Sequence, residues 1–273
     1  MTDHYAVIGN PIVQSKSPII HTAFAQTTGQ DLEYTKLLAP VDGFAAAVDA
    51  FRAAGGKGMN VTAPFKMDAF AYATELSEGA KLAGAVNAMK FEGGRVLAQN
   101  FDGVGLVRDV VHNLACPLAG KRVLVIGAGG ATRGALLPIL AQKPALLVIA
   151  NRTVSKAVEI AAIGAAHGLV KGCGYAELKG QVFDVVFNAT SASLTSELPP
   201  VPATVFGANC LAYELAYGKG LTPFLKLAQS VGVTRLADGV GMLAEQAAEA
   251  FLWWRGVRPD TASVIQTLTV PLV

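Results

Sequence analysis

Charge is scarce in this chain. Asp, Glu, Lys and Arg make up only 15% of 273 residues, and the formal net charge is +2. So small a surplus gives no electrostatic case for a nucleic-acid partner. Cysteine is scarcer still: Cys116, Cys173 and Cys210 are odd in number and far apart. They exclude a disulfide frame and a zinc site, and fit the reduced thiols of a cytoplasmic protein. His4, His112 and His167 have no partners at ligand spacing, so no metal is expected. No uninterrupted apolar run approaches the ~20 residues needed to span a bilayer, so no membrane partner is expected. The opening stretch MTDHYAVIGN has neither a basic start nor a long apolar region, and no signal peptide is expected either.

Apolar side chains are plentiful. They amount to 52% of the chain, and the mean hydropathy is +0.42. Such a composition suits parallel sheets, whose strands are buried on both faces. The length allows two domains or one large α/β domain. Tyr5–Ile8 reads as a strand, Pro18–Thr28 as a helix and Gly58–Val61 as a further short strand. RVLVI (122–126), LLVIA (146–150) and DVVFN (184–188) read as buried strands separated by helix-length segments. This βαβ alternation predicts a doubly wound sheet. A final helix, roughly Met242–Arg255, carries Trp253 and Trp254 as expected packing anchors. Asn113–Lys121, with Pro117 and Gly120, has the composition of a connection into a second domain.

The segment RVLVIGAGGATRGALLPIL runs a strand into Gly127, Gly129 and Gly130, then into a helix from near Ala131. Glycines permit the tight turn and close approach to a pyrophosphate, which the helix N-terminus then favours. The third glycine of the usual fingerprint would fall at Thr132, so the match is imperfect. The next strand ends in Asn151-Arg152-Thr153, with Lys156 beyond. NAD binders commonly place an acidic residue there for the ribose hydroxyl. Two cations instead favour a 2′-phosphate, hence NADP over NAD. Taken singly, each charge reads as solvated near a helix start that Thr153 would cap. Asn188-Ala189-Thr190-Ser191 ends the following strand, and either faces the nicotinamide end of such a cofactor or forms a capped loop.

In the first part of the chain, GNPIVQSKSPIIH places Ser17 before Pro18, which predicts Ser17 as N-cap and Pro18 as the first helical residue. The hydroxyls of Ser15 and Ser17 at a helix start also suit a carboxylate. His21, one turn in, reads equally as a satisfied surface imidazole. Asn60, Thr62 and Lys66 fall between a strand end and a helix start, Asn87 lies on another strand-like segment, and Asp102 follows the strand VLAQN. An Asp-Gly step is most often a surface turn. A Lys beside a carboxylate would instead form a proton-transfer pair.

Nine blocks in order carry a resemblance: GNPIVQSKSPIIH, GGKGMNVTAPFK, GAVNAMK, NFDGVG, GAGGATRG, NRTVSK, NATSAS, YELAYGKGLTPF and DGVGMLAEQAAEAF. Over essentially its whole length the sequence resembles the shikimate dehydrogenase family. The resemblance implies a two-domain α/β fold. An N-terminal α/β substrate domain would take residues 1–102 plus 238–273, and a doubly wound Rossmann-like NADP domain residues 103–237, with a cleft between. It implies interconversion of 3-dehydroshikimate and shikimate with NADPH and NADP, by a monomer or homodimer. Lys66 and Asp102 would be the catalytic pair, with Lys66 the general acid in ketone reduction. Ser15 and Ser17 would hold the substrate carboxylate, and Thr62, Asn87, Tyr217 and Gln246 would contact its ring or hydroxyls. Gly127, Ala128, Gly129, Gly130, Ala131, Asn151, Arg152, Thr153, Lys156, Thr190 and Gly239 would contact the cofactor.

Several positions depart from the family pattern. Phe101 stands where Thr precedes the Asp, Lys156 where Arg is usual, Glu214 where Asp is usual, and Ala88 where Thr is frequent. Ser191-Ala192-Ser193 replaces Ser-Ser-Gly. Phe101 either narrows the pocket, reshapes it, or packs into the core. Strand alternation would turn it away from Asp102. The alternatives are a paralogue acting on quinate or a related cyclic hydroxy acid, and a cofactor-binding protein with little turnover.

Overall fold

The structure is a computed structural model describing residues 2–192 and 197–272, so Ser193 lies outside the described residues. It divides into two compact units, Met1–Gly105 with Ala244–Val264, and Leu106–Leu243 with Ile265–Val273.

The first unit contains β1 (Asp3–Gly9), α1 (Ser17–Thr28), β2 (Leu32–Leu38), α2 (Phe44–Ala53), β3 (Gly58–Val61), α3 (Lys66–Tyr72), β4 (Glu75–Leu76), α4 (Glu78–Ala83), β5 (Ala88–Glu92) and β6 (Arg95–Gln99). Its sheet is mixed, in the order β2-β1-β3-β5-β6-β4, with β5 antiparallel to both neighbours. The hairpin between β5 and β6 turns on Gly93 and Gly94, both at positive φ, as a two-residue loop matched to strand twist requires. Along β1 the side chains alternate between two cores: Ala6 and Ile8 enter one cluster, Tyr5 and Val7 the other.

The start of α1 differs by one residue from the sequence expectation. The Ser15 hydroxyl accepts from the Ser17 N–H at 3.3 Å, and the Lys16 carbonyl accepts from Ile20. Lys16 therefore takes the cap position and Ser17 is already helical. His21 is not a surface imidazole. It is 1% exposed, stacked on Tyr34 at 4.2 Å and surrounded by Phe24, Phe251 and Trp254. Periodicity alone could not show that the helix face bearing it meets a cluster of rings contributed by β2 and the distant residues 251 and 254.

Helix α5 (Asp102–Arg108) leads into one turn of π-helix at Asp109–Asn113. The second unit holds β7 (Arg122–Ile126), α6 (Gly130–Ala141), β8 (Leu146–Ala150), α7 (Val154–Gly164), β9 (Val170–Cys173), β10 (Phe183–Asn188), β11 (Phe206–Glu214), α8 (Pro223–Ser230) and β12 (Arg235–Asp238). Helices α9 (Val240–Arg255) and α10 (Ala262–Leu268) follow. All six strands are parallel, in the order β12-β11-β10-β7-β8-β9. Every residue of β8 is buried, as a strand covered on both faces demands. The order reverses between β7 and β10, and a crevice beyond the strand ends at that point is where such sheets bind ligands.

The three cysteines are free and buried. Burial raises the Cys173 thiol and pushes Cys210 up to about 12. Among the described residues no helix is long and apolar enough to cross a membrane, and no His, Cys, Asp and Glu cluster is arranged for a metal ion.

Candidate active site

In the first unit the ends of β3, β5 and β6 bring polar groups together. Lys66 opens α3 and Asp102 opens α5, and their Nζ and Oδ2 atoms lie 2.6 Å apart. Asn87 donates to the other carboxylate oxygen, Oδ1, at 2.8 Å and to Gln246 Oε1 at 3.3 Å. Its own carbonyl oxygen accepts from the Phe101 backbone N–H at 2.9 Å, so the amide is held in one orientation. Asn100 adds a further brace by accepting from the Asp102 N–H at 3.1 Å. The lysine and aspartate side chains keep 34% and 19% of their exposure, enough for a ligand to reach them. Thr62 is half-buried on the loop before α3, and Ser15 and Ser17 sit at the start of α1 with their hydroxyls 3.3 Å apart.

Strand alternation does not govern Phe101, because β6 ends at Gln99 and Asp102 is already helical. The outcome is nevertheless packing. The Phe101 ring meets Trp253 edge-on at 5.8 Å and joins the cluster of Tyr5, Val7, Ile12 and Trp254. What position 101 supplies to the site is its backbone N–H, bonded to Asn87 Oδ1, which any residue other than proline provides.

Asn60 was read beside Thr62 and Lys66, but Tyr34 was not tied to this cluster by spacing. The Tyr34 hydroxyl donates to Asn60 Oδ1 at 2.6 Å, and Asn60 Nδ2 donates to the Asn87 carbonyl at 3.2 Å. Only strand pairing reveals that link: β1 separates β2 from β3, and a tyrosine on β2 reaches around it. Tyr217 belongs to the second unit, after β11, and is 40% exposed.

In the second unit a groove of about 520 Å³ opens beyond β7, β8 and β10, and Gly127, Ala128, Gly129, Asn151, Arg152, Thr153, Lys156 and Thr190 all line it. Gly127 has φ +108, and a Cβ there would stand 3.0 Å from the Ala189 carbonyl oxygen, so glycine is required. Beside Gly129 and Gly130 the space is open, with nothing within 4 Å of an added Cβ. Gly130 and Ala131 begin α6, whose unpaired N–H groups give that space a positive end. The imperfect fingerprint has a physical reason. Thr132, in place of glycine, is buried and donates to the Gly127 carbonyl at 2.8 Å, closing the turn.

Arg152 and Lys156 are exposed, and among the described residues neither takes a carboxylate partner. Arg133 by contrast is spent on Glu159 at 2.6 Å. Thr153 holds the cap position of α7 but makes no side-chain cap bond. Gly239 does not line the groove. It follows β12, where a Cβ would meet the Leu215 carbonyl oxygen at 2.1 Å. Tyr175, Glu197, Leu198, Pro199 and Pro200 also line the groove and had no signal in spacing, since folding alone carries them there. Burial raises the Tyr175 phenol, with Arg152 opposing.

A six-stranded parallel sheet with a glycine turn and cations at its switch point defines a dinucleotide-binding α/β protein. Residues 7–89 match the shikimate dehydrogenase substrate binding domain, 109–196 the shikimate / quinate 5-dehydrogenase family, and 239–269 the shikimate 5′-dehydrogenase C-terminal domain. The chain is 56% identical over 268 residues, covering 98% of each chain, to a shikimate dehydrogenase (NADP(+)) of Chromobacterium violaceum. Among solved structures, an Ael1 enzyme from Pseudomonas putida is 58% identical with a TM-score of 0.96, covering 100% of both chains. The shikimate 5-dehydrogenase of Thermus thermophilus, solved in complex with NADP(H) and shikimate, is 28% identical with a TM-score of 0.85, covering 98% of both chains. The chain belongs to the shikimate dehydrogenase family.

Proposed function

We propose that this protein is a cytoplasmic, NADP-dependent oxidoreductase that interconverts 3-dehydroshikimate and shikimate on the route to the aromatic amino acids. The observation that carries this reading is the Lys66–Asp102 contact of 2.6 Å, braced through Asn87 in the unit that also holds the helix-start hydroxyls of Ser15 and Ser17. The groove of the second unit fits a dinucleotide phosphate. Gly127 forms a cradle that a Cβ would obstruct, the start of α6 offers N–H groups, and Arg152 and Lys156 supply charge for a 2′-phosphate. When bound, the nicotinamide supplies or takes up the hydride.

The chain's own residues do the remainder. Ser15 and Ser17 hold the substrate carboxylate, and Thr62, Asn87 and Gln246 set its ring. In ketone reduction the Lys66 ammonium gives a proton to the carbonyl oxygen, and in alcohol oxidation the neutral amine takes it back. Asp102 aims the amine and stabilises its charged form. Because Asn87 occupies Oδ1, Oδ2 is the oxygen left for Lys66.

Initial rates of shikimate and quinate oxidation, each with NADP and with NAD, test the reading through the absorbance of reduced nicotinamide. Fast turnover of shikimate with NADP is the expected result. Turnover of quinate alone, or of neither acid, would overturn it. Arg152→Ala is expected to weaken NADP binding by about 10- to 100-fold, the worth of a charge-assisted hydrogen bond, and to leave NAD binding nearly unchanged. Calorimetric titration with both dinucleotides checks this.

A further inference from the structure

We propose that Glu214 is a positioning residue that fixes the hydrogen-bonding polarity of the groove wall, so that Thr190 presents an acceptor to a donor group on the nicotinamide riboside half of the bound dinucleotide. This rests on the groove's reading as the cofactor site.

Glu214 ends β11 and Asn188 ends β10, paired in register and both fully buried. Among the donors that meet the Glu214 carboxylate are those of Asn188, Thr222 and Ala216. Asn188 Nδ2 lies 2.8 Å and Thr222 Oγ1 3.1 Å from Oε2, and the Ala216 N–H lies 3.3 Å from Oε1. An amide at this position would turn its own NH₂ on one of those donors whichever way it faced. The carboxylate thereby holds the Asn188 amide nitrogen toward itself and its oxygen toward Thr190. Asn188 Oδ1 accepts there from the Thr190 N–H at 3.2 Å and the Thr190 hydroxyl at 2.7 Å.

The consequence reaches the groove. A threonine hydroxyl has one proton and two lone pairs, and ordinarily serves as donor or acceptor. Here the proton is committed to Asn188, and one lone pair takes the Ala192 N–H at 3.3 Å. Among the described residues one lone pair is left, on a residue that lines the groove beside Gly127 and Ala189. Thr190 can therefore only accept. In that half of the dinucleotide the donors are the carboxamide NH₂ and the ribose hydroxyls.

Titration calorimetry with NADP, with its 3-acetylpyridine analogue and with adenosine 2′,5′-bisphosphate, which lacks the nicotinamide half, tests the proposal. Thr190→Val should weaken NADP binding roughly fivefold, the worth of one neutral hydrogen bond, and leave the bisphosphate unaffected. Thr190→Ser should bind as the parent does. Glu214→Gln should show the same selective loss, and combining it with Thr190→Val should add little further. If the Thr190→Val loss disappears with the acetylpyridine analogue, which has no carboxamide NH₂, the donor is the carboxamide; if it persists, the donor is a ribose hydroxyl. Unchanged NADP affinity in Thr190→Val, or an equal loss for NADP and the bisphosphate in both variants, overturns the proposal. Failure of the parent protein to bind the bisphosphate at all overturns the cofactor reading itself.

Discussion

Lys66→Ala is expected to lower shikimate turnover by about 10²- to 10⁴-fold, the usual contribution of one general acid–base group, while leaving NADP affinity nearly intact. The reason is local. Lys66 and Asp102 contact each other in the first unit, whereas the glycine turn and the cations of the groove belong to the second. Asp102→Asn should be almost as damaging, because the new amide would face the NH₂ of Asn87 or the ammonium of Lys66 with a donor of its own. Steady-state rates paired with calorimetric NADP titration separate the two effects. A Lys66→Ala enzyme with full turnover would sink the assigned role. Phe101→Thr should change turnover little by comparison, since the ring packs on Trp253 and its N–H, the group bonded to Asn87, is retained.

Acid should destabilise the fold through His21. Burial among aromatic rings pushes this imidazole down to about 3, against an ordinary value of 6.5, with Asn60 the opposing influence. Neither ring nitrogen has a geometrically good hydrogen-bond partner among the described residues, and the weak help from Asn60 does not offset the loss of solvent. Between pH 6.5 and 3 the unfolded chain binds a proton that the folded chain refuses, so stability falls as pH falls through that window. Relative to pH 8 the loss at pH 5 should be about 2 kcal/mol. Denaturant unfolding of the parent and of His21→Phe, compared from pH 8 to 5, isolates this group. The variant should lose one proton's worth of pH slope, and parallel curves for the two proteins would count against the assignment.

Parts of the fold were legible because they depend on short-range pattern. Val123–Ile126 and Leu146–Ala150 are apolar without alternation, which only a strand covered on both faces needs. Gly127 was legible as a turn residue, and the structure adds the carbonyl of Ala189 as the atom it must clear. Less visible were features that depend on what a residue meets across the chain. The cap position shifted from Ser17 to Lys16 through one hydroxyl bond two residues upstream. His21 looked like a surface residue because its own helix is only weakly amphipathic, while its burial comes from Tyr34, Phe251 and Trp254. The expectation for Phe101 reached the right packing by the wrong route, since the strand had already ended.

The amino-acid sequence by itself determined the βαβ order, the glycine turn and the two cations after β8, because residue type and local spacing suffice for these; the pair Lys66 and Asp102, 36 residues apart, came from the family resemblance. The tertiary structure alone decided that Lys66 and Asp102 touch, that Asn87 holds the second carboxylate oxygen, and that Thr132 can replace a glycine. It also decided that a buried Glu214 sets the polarity of Thr190. The physical reason is that a hydrogen bond is set by distances of about 3 Å and by which atom carries the proton. Partners such as Asn87 and Asp102, 15 residues apart, or Lys66 and Asp102, 36 apart, acquire both only when strands pair and helices dock.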